Sequence, residues 1–360
     1  MNRADLGLLA AILLCGCGDR PDDGNATADT STASTGADTS GASASMSSTT
    51  NDVSTTTSVG TDATTSTSGV ESSSEGTSTA VDESTSTGAP ETCAGTFPAA
   101  WPDGTDCGSE AAIFVHRYDD DTWILRQSLC TSFEGPFMYL MFGDGRVLLE
   151  DTGDGGIPIA EVVYGIIDDW LAEQGRASIE LVVVNSHAHG DHVAGNPQFE
   201  GQPNTVVVTP SVAGVSDYFG IDDWPTQSVP FDLGGRVVDV IPIPGHQQSH
   251  IALFDHGTGM LLTGDTLYPG RLYIDDFDAY VASVGRLVDT VAEADVCHVM
   301  GTHVEMTDMP GVDFDFGADQ HPGEHVLELQ WSHLVELRDA VEAMQFPQIE
   351  IHDDFIVYPL

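Results

Sequence analysis

The chain contains no lysine: its 10 basic residues are all arginine, set against 57 aspartates and glutamates, for a formal net charge of -47 at pH 7. So negative a surface repels phosphate backbones and anionic membrane surfaces, which excludes nucleic-acid binding through backbone contacts. None of its 6 cysteines forms a Cys-x-x-Cys pair, so neither a zinc-thiolate site nor a redox dithiol is encoded. The apolar run Leu6 to Leu14 is too short for a permanent transmembrane helix. From about Asp19 to Glu91 large apolar side chains are almost absent, leaving Ser, Thr, Gly, Ala and Asp. Such a stretch cannot bury enough surface to offset the entropy of ordering, so residues 17–92 are expected to be a disordered tether.

What is present begins with Met1 to Leu14, which has the form of a secretory signal peptide. Leu14-Cys15-Gly16-Cys17 resembles a bacterial lipobox, which implies a signal peptide over residues 1–16 and a lipidated Cys17. The expected location is then the bacterial cell envelope, extracytoplasmic and attached to the membrane through the acyl chains of Cys17. Ordinary cleavage and release is the alternative. Cysteine usage agrees with export: Cys93, Cys107, Cys130 and Cys297 form an even set that suits disulfides. Four cysteines allow three pairings; the short loop between Cys93 and Cys107 favours that pair and leaves Cys130 with Cys297.

Residues 93–360 read as one folded domain. Ile113 to Val115, Trp123 to Leu125, Phe137 to Phe142 and Arg146 to Glu150 predict an antiparallel meander, with Asp144-Gly145 as a hairpin turn. Ile159, Val162, Val163, Ile166, Ile167, Trp170 and Leu171 fall at helical spacing between Pro158 and Gly175. Further strands are expected at Ile179 to Val184, Thr205 to Val208, Val237 to Ile243, Ile251 to Phe254, Met260 to Leu262, Cys297 to Met300, Ile349 to Ile351 and Phe355 to Tyr358. Helical patterns cover Ser211 to Phe219, Phe277 to Ala294 and Glu324 to Met344. Strands in groups with helices between the groups predict an α+β fold with two sheets covered by outer helices.

The chemistry starts in the loop after the first buried-strand run. His187-Ala188-His189-Gly190-Asp191-His192 places four potential metal ligands in six positions, a density that packing does not explain. His187 and His189 are spaced to share one ion, while Asp191 and His192 point to a second. Three later ligands each follow an apolar strand: His246 in Pro244-Gly245-His246, Asp265 in Thr263-Gly264-Asp265, and His303 in Gly301-Thr302-His303. Singly, each is more often a turn former or a hydrogen-bonded histidine. Strand-end loops of a sheet protein gather at one edge, however, so all seven are expected to converge.

With these motifs in this order, the sequence resembles the metallo-β-lactamase superfamily of hydrolases from roughly Ala111 to Leu360. The resemblance implies a four-layer αβ/βα sandwich, which agrees with the order of strands and helices. It implies that His187, His189 and His246 hold one metal, that Asp191, His192 and His303 hold another, and that Asp265 bridges them. Two zinc ions are the expected cofactors, with iron or manganese as substitutes. A hydroxide shared by the metals would attack a small-molecule substrate, oriented by Asp191. True β-lactamases typically carry Cys or Ser at the place of Asp265, so the aspartate points to esters, lactones or thioesters over β-lactam amides. Tyr268 matches the position where acyl-homoserine lactonases carry a tyrosine that assists substrate binding or leaving-group protonation; its other reading is an ordinary half-buried tyrosine. An iron-dependent, sulfur-oxidising oxidoreductase of the same fold and a β-lactamase-type amide hydrolase are the alternative activities. His250 is expected to support the ligands rather than join them, and Glu305, His298, His321 and His325 have no partner in the pattern.

Overall fold

A computed structural model describes residues 93–291 and 296–360. The signal peptide, lipidated Cys17 and tether read from the sequence lie outside the described residues, as does the end of the helix expected to reach Ala294.

The chain first lays down β1 (Ile113–Arg117), β2 (Thr122–Gln127), β3 (Phe137–Phe142) and β4 (Arg146–Glu150) as the antiparallel meander that the alternation predicts. Helix α1 (Ile159–Gln174) then crosses over, so that β5 (Glu180–Val184) and β6 (Thr205–Val207) join parallel to β4 and complete a six-stranded sheet. Gly175 ends α1 in the left-handed conformation. After the short helices α2 (Gly190–Val193) and α3 (Val212–Phe219), a second six-stranded sheet forms. It is built from β7 (Val229–Asp232), β8 (Val237–Pro242), β9 (Ile251–Asp255), β10 (Met260–Gly264), β12 (His298–Gly301) and β13 (Glu328–Leu329). A small third sheet holds β11 (Arg271–Ile274), β14 (Glu350–Ile351) and β15 (Ile356–Pro359), and helices α4 (Phe277–Thr290) and α5 (Trp331–Ala343) pack together.

Side-chain alternation along the strands explains the layering, because successive residues face opposite sides of a sheet. Ile124, Tyr139, Leu148 and Val182 of the first sheet meet Val238, Val240, Leu253 and Leu262 of the second in a shared core. Their sequence neighbours Leu125, Leu140, Leu149 and Val183 face the other way, against Val163, Ile167 and Trp170 of α1. On the far side of the second sheet Ile241, Phe254, Leu261 and Val299 meet Val284 and Leu287 of α4 and Leu334 and Leu337 of α5. Helix, sheet, sheet, helix is the αβ/βα sandwich expected.

Two expectations are corrected. The last helix begins at Trp331, not at Glu324. Leu327 and Leu329 are both fully buried at a spacing of two, a strand pattern, and Leu329 pairs with Val299 of β12. The Glu324 carboxylate is meanwhile held by the buried Arg126 guanidinium at 2.5 and 2.9 Å, and Gln330 and His333 make the reciprocal cap that starts α5. The disulfides are Cys93–Cys297 and Cys107–Cys130, not the pairing that loop length favoured. Cys93 is carried across the molecule because Thr96 bonds to the Tyr118 carbonyl and Phe97 packs edge-on against His298.

Candidate metal centre

Each ligand sits just past the C-terminal end of a strand, and these ends meet at one edge of the sandwich. His187 and His189 lie in the loop that leaves β5, and Asp191 and His192 open α2. His246 follows β8, Asp265 follows β10, and His303 follows β12. Glycine is required in two of these exits. Gly264 has φ 50°, and a Cβ there would lie 2.4 Å from His250 Nε2. A Cβ on Gly245 would lie 2.4 Å from the Tyr280 Cα, so only glycine lets α4 pack close enough to bring His246 to the centre.

The seven side chains form two groups that share one residue: His187, His189, His246 and Asp265, and Asp191, His192, Asp265 and His303. Within each group the ligand atoms lie within 4.8 Å of one another. In the first, His187 Nε2, His189 Nδ1 and His246 Nε2 face one another at 2.9 to 3.2 Å. Asp265 Oδ2 lies 3.3 Å from His246 Nε2, 3.6 Å from His187 Nε2 and 3.5 Å from His192 Nε2, while its Oδ1 lies 3.4 Å from His303 Nε2. One carboxylate therefore faces both groups. Asp191 Oδ2 completes the second, 3.1 Å from His192 Nε2 and 3.2 Å from His303 Nε2.

The outward ring nitrogens are held by acceptors. His246 Nδ1 is 2.6 Å from the Tyr273 carbonyl, His303 Nδ1 is 2.9 Å from the Glu134 carbonyl, and His192 Nδ1 is 2.8 Å from Asp151 Oδ2. A proton donated outward leaves the inward nitrogen with a free lone pair, the tautomer that metal ligation requires. His192 Nε2 is buried and faces only the Asp191 and Asp265 carboxylates. Three imidazole nitrogens turned on one another, beside two carboxylates that face the same pair of histidines, are unfavourable without a cation between them, so the donor set fits two divalent ions.

Electrostatics around the centre divide the histidines. Burial, reinforced by His192, drives His187 well below its ordinary value, and burial and His246 lower His189. At His303, burial is outweighed by Asp265 and Asp191, which hold it up at about 10. His192 is likewise raised against its burial by Asp191, Asp265 and Asp151. Both aspartates are held well below the usual carboxylate range by these neighbours despite burial, His192 chiefly for Asp191 and His303 for Asp265.

A cavity of about 530 Å³ opens over the centre, lined in part by His189, Asp191, His246 and Asp265. A larger one of about 670 Å³ lies among Asp121, Trp170, Arg236 and His256 and contains no ligand. Tyr268 is buried behind the centre: its ring lies 5.5 Å from that of His303, and its hydroxyl donates to the Arg271 carbonyl, with Glu305 Oε2 3.5 Å away. His250 is fully buried with its ring 4.7 Å from that of His187, and it belongs to neither ligand group.

Residues that the sequence pattern passed over also line the cavity, among them Glu134, Tyr273, Asp275 and Phe316, and Glu305, which had no partner in the pattern, joins them. Burial pushes the Glu134 carboxyl up to about 7, against the pull of His303. Asp151 was also missed. Its carboxylate accepts from Ser186 N at 2.7 Å, Ser186 Oγ at 2.8 Å and His192 Nδ1, and it does so from a backbone φ of 66°. Its position one residue past an apolar strand, like that of the ligands, was the available signal.

Residues 132–309 match the metallo-beta-lactamase superfamily. The chain carries a metallo-beta-lactamase superfamily domain. Within the superfamily it is similar to a hydroxyacylglutathione hydrolase of Rhizobium meliloti (strain 1021), 32% identical over 109 residues that cover 29% of this chain and 42% of that protein. It is also similar to the human acyl-coenzyme A thioesterase MBLAC2, 26% identical over 200 residues that cover 46% of this chain and 72% of the relative. The chain spans less than half the length of the hydroxyacylglutathione hydrolases from Rhizobium meliloti and Methylococcus capsulatus, at 42% and 45%. Among solved structures, a metallo-beta-lactamase from Pontibacter korlensis aligns with a TM-score of 0.44 at 16% identity, over 64% of this chain and 100% of that one.

Proposed function

We propose that the metallo-beta-lactamase domain is a dinuclear zinc-dependent hydrolase of a small ester, lactone or thioester. The observation that carries this reading is the pair of ligand groups joined through Asp265. His187, His189 and His246 would hold one ion, Asp191, His192 and His303 the other, and Asp265 both. Two divalent ions bound there supply Lewis acidity toward a carbonyl and a water acidic enough to ionise near neutral pH. Asp191, ionised and lining the cavity, is placed to orient that water. The outward hydrogen bonds to Asp151, Tyr273 and Glu134 fix the imidazole rings before substrate arrives. Two relatives bear the names of a hydroxyacylglutathione hydrolase and an acyl-coenzyme A thioesterase, which supports the thioester arm.

Purified protein is expected to contain two zinc ions per chain by elemental analysis and to turn over members of a panel of esters, lactones and thioesters. His189→Ala is expected to reduce kcat/KM by at least about 100-fold while the thermal unfolding curve keeps its shape. A metal-free protein that hydrolyses the panel would overturn the reading. The same reading places the enzyme outside the cytoplasm on a lipid anchor at Cys17. Two disulfides in the folded part support an oxidising compartment, and fatty-acid labelling lost in Cys17→Ala would test the anchor.

A further inference from the structure

The two relatives act, by name, on thioesters of glutathione and of coenzyme A, and both carriers are anions. A site that binds such carriers needs cationic side chains, since carboxylates and phosphates leave water only for paired, hydrogen-bonded partners. Among the described residues the cavity over this centre has none. Beyond the ligands its wall presents the acidic side chains of Asp275 and Glu305, and of Glu134, whose carboxyl burial holds at about 7.

Arginine is the only strongly basic residue that could approach, and among the described residues none is free to do so. Of the 10 in the chain, Arg3 and Arg20 lie outside the described residues, which leaves eight. Each of the eight bonds to a carboxylate or a backbone carbonyl elsewhere in the protein. Arg271 comes nearest, since its backbone N–H donates to Glu305 at 2.9 Å and its Nε lies 3.7 Å from the same carboxylate, but the rest of its guanidinium is committed to Asp313 at 3.1 Å and the Phe314 carbonyl at 2.8 Å. The mouth also carries an apolar feature. Phe316 lines the cavity with 73% of its surface exposed, and its ring lies 5.9 Å from that of the half-exposed Phe133. An exposed aromatic pair at a reaction cavity favours an apolar group on the substrate.

We propose that this cavity selects substrates with an apolar acyl group and an uncharged remainder, and that it discriminates against anionic carriers such as glutathione and coenzyme A. The inference rests on the hydrolase reading of the same centre. Charge brought by metals would act at the scissile group, whereas the wall beyond them carries Asp275 and Glu305. Field and contact act together, because a chain of net charge -47 lowers the local concentration of every anion before it docks.

The test compares hexanoyl esters of three thiols on the zinc-loaded full chain: neutral N-acetylcysteamine, glutathione and coenzyme A. The neutral thioester is expected to show a kcat/KM at least about tenfold above either anionic one at low salt, with the gap narrowing as salt rises. Asp275→Arg, at an exposed position, is expected to shrink that ratio severalfold, and Phe316→Ala to raise KM for hexanoyl over acetyl thioesters. Binding is read separately by calorimetry with the matching non-hydrolysable hexyl thioethers. Tighter binding of the coenzyme A or glutathione thioether than of the neutral one overturns the proposal, whether or not any ester turns over. Tighter binding of the neutral thioether without hydrolysis upholds the selectivity and sinks the hydrolase reading instead.

Discussion

At the residue scale, the cluster of candidate ligands was legible because four of the seven fall within six consecutive positions and the other three repeat one local context, a glycine-containing exit from an apolar strand. Of what supports them only Asp151, one residue past an apolar strand, carried a signal, because Tyr273 and Glu134 reach the centre through backbone carbonyls from segments distant in sequence. Asp151 gives a first test. Asp151→Asn keeps the shape and tolerates the left-handed backbone, but it removes the charge that fixes His192. Zinc affinity at the group of Asp191, His192 and His303 is expected to fall about 10- to 100-fold by chelator competition, with the fold intact. Unchanged affinity would make Asp151 a purely structural hub for Ser186. The tyrosines give a second. Tyr268 matched in sequence a tyrosine that assists substrate binding or leaving-group protonation, with an ordinary half-buried tyrosine as the other reading; its hydroxyl is committed to the Arg271 carbonyl, and burial together with Glu305 raises its phenol well above the ordinary value. Tyr273 lines the cavity itself. Tyr268→Phe is therefore expected to cost about 1 kcal/mol of stability with kcat on a lactone nearly unchanged, and Tyr273→Phe to lower kcat by about 100-fold with little loss of stability. The reverse assignment of these two effects would restore Tyr268 as the donor.

At the scale of elements, periodicity located α1, α4 and most strands because each buries one continuous face, which leaves a period of 3.6 or 2 in the sequence. It failed at Glu324 to Gln330, where a short edge strand and a buried ion pair mimic the start of a helix. It also passed over β11, whose four residues carry Tyr273 to the cavity. The turn between β9 and β10 shows what holds such an edge. Asp255 is fully buried and accepts from Arg236 Nε at 2.9 Å, Gly257 N at 3.0 Å, Thr258 N at 3.1 Å and Thr258 Oγ1 at 2.6 Å. Burial alone would raise this carboxyl, but Arg236 and Thr258 outweigh it and hold it below its ordinary value. Because the folded value lies below the unfolded value of about 3.9, the contribution is complete above that pH and is lost as pH falls through the folded value. Asp255→Asn is expected to cost about 3 kcal/mol at pH 7, since it leaves a buried guanidinium unpaired. The difference should begin to shrink once the pH falls below the unfolded value and approach zero only below the folded one, measured by urea unfolding of both proteins. A penalty that persists in acid would assign the effect to the turn's hydrogen bonds alone.

At the scale of the whole molecule, the disulfides were misread for a physical reason: cysteine pairing follows where the folded chain brings two sulfurs, not the shortest loop between them. Cys93 and Cys107 are close in sequence, but the segment after Cys93 runs along Tyr118 toward His298 and delivers its sulfur to Cys297, at a Cα separation of 5.4 Å. The two bridges that result differ greatly in what they constrain. Cys93–Cys297 closes a separation of 204 residues, spanning the first sheet, β7 to β10 of the second and every candidate ligand but His303, whereas Cys107–Cys130 closes 23. If the bridges act mainly by restricting the unfolded chain, the long one contributes about 5 kcal/mol and the short one about 3.5 kcal/mol. A molecule with so large a net negative charge has reason to need both, because self-repulsion favours expansion. The paired substitution of Cys93 and Cys297 by serine is therefore expected to lower the urea midpoint more than that of Cys107 and Cys130, and the gap should widen at low ionic strength, where repulsion is least screened. An opposite order would show that local packing around Cys107 and Cys130, rather than loop entropy, sets their contribution.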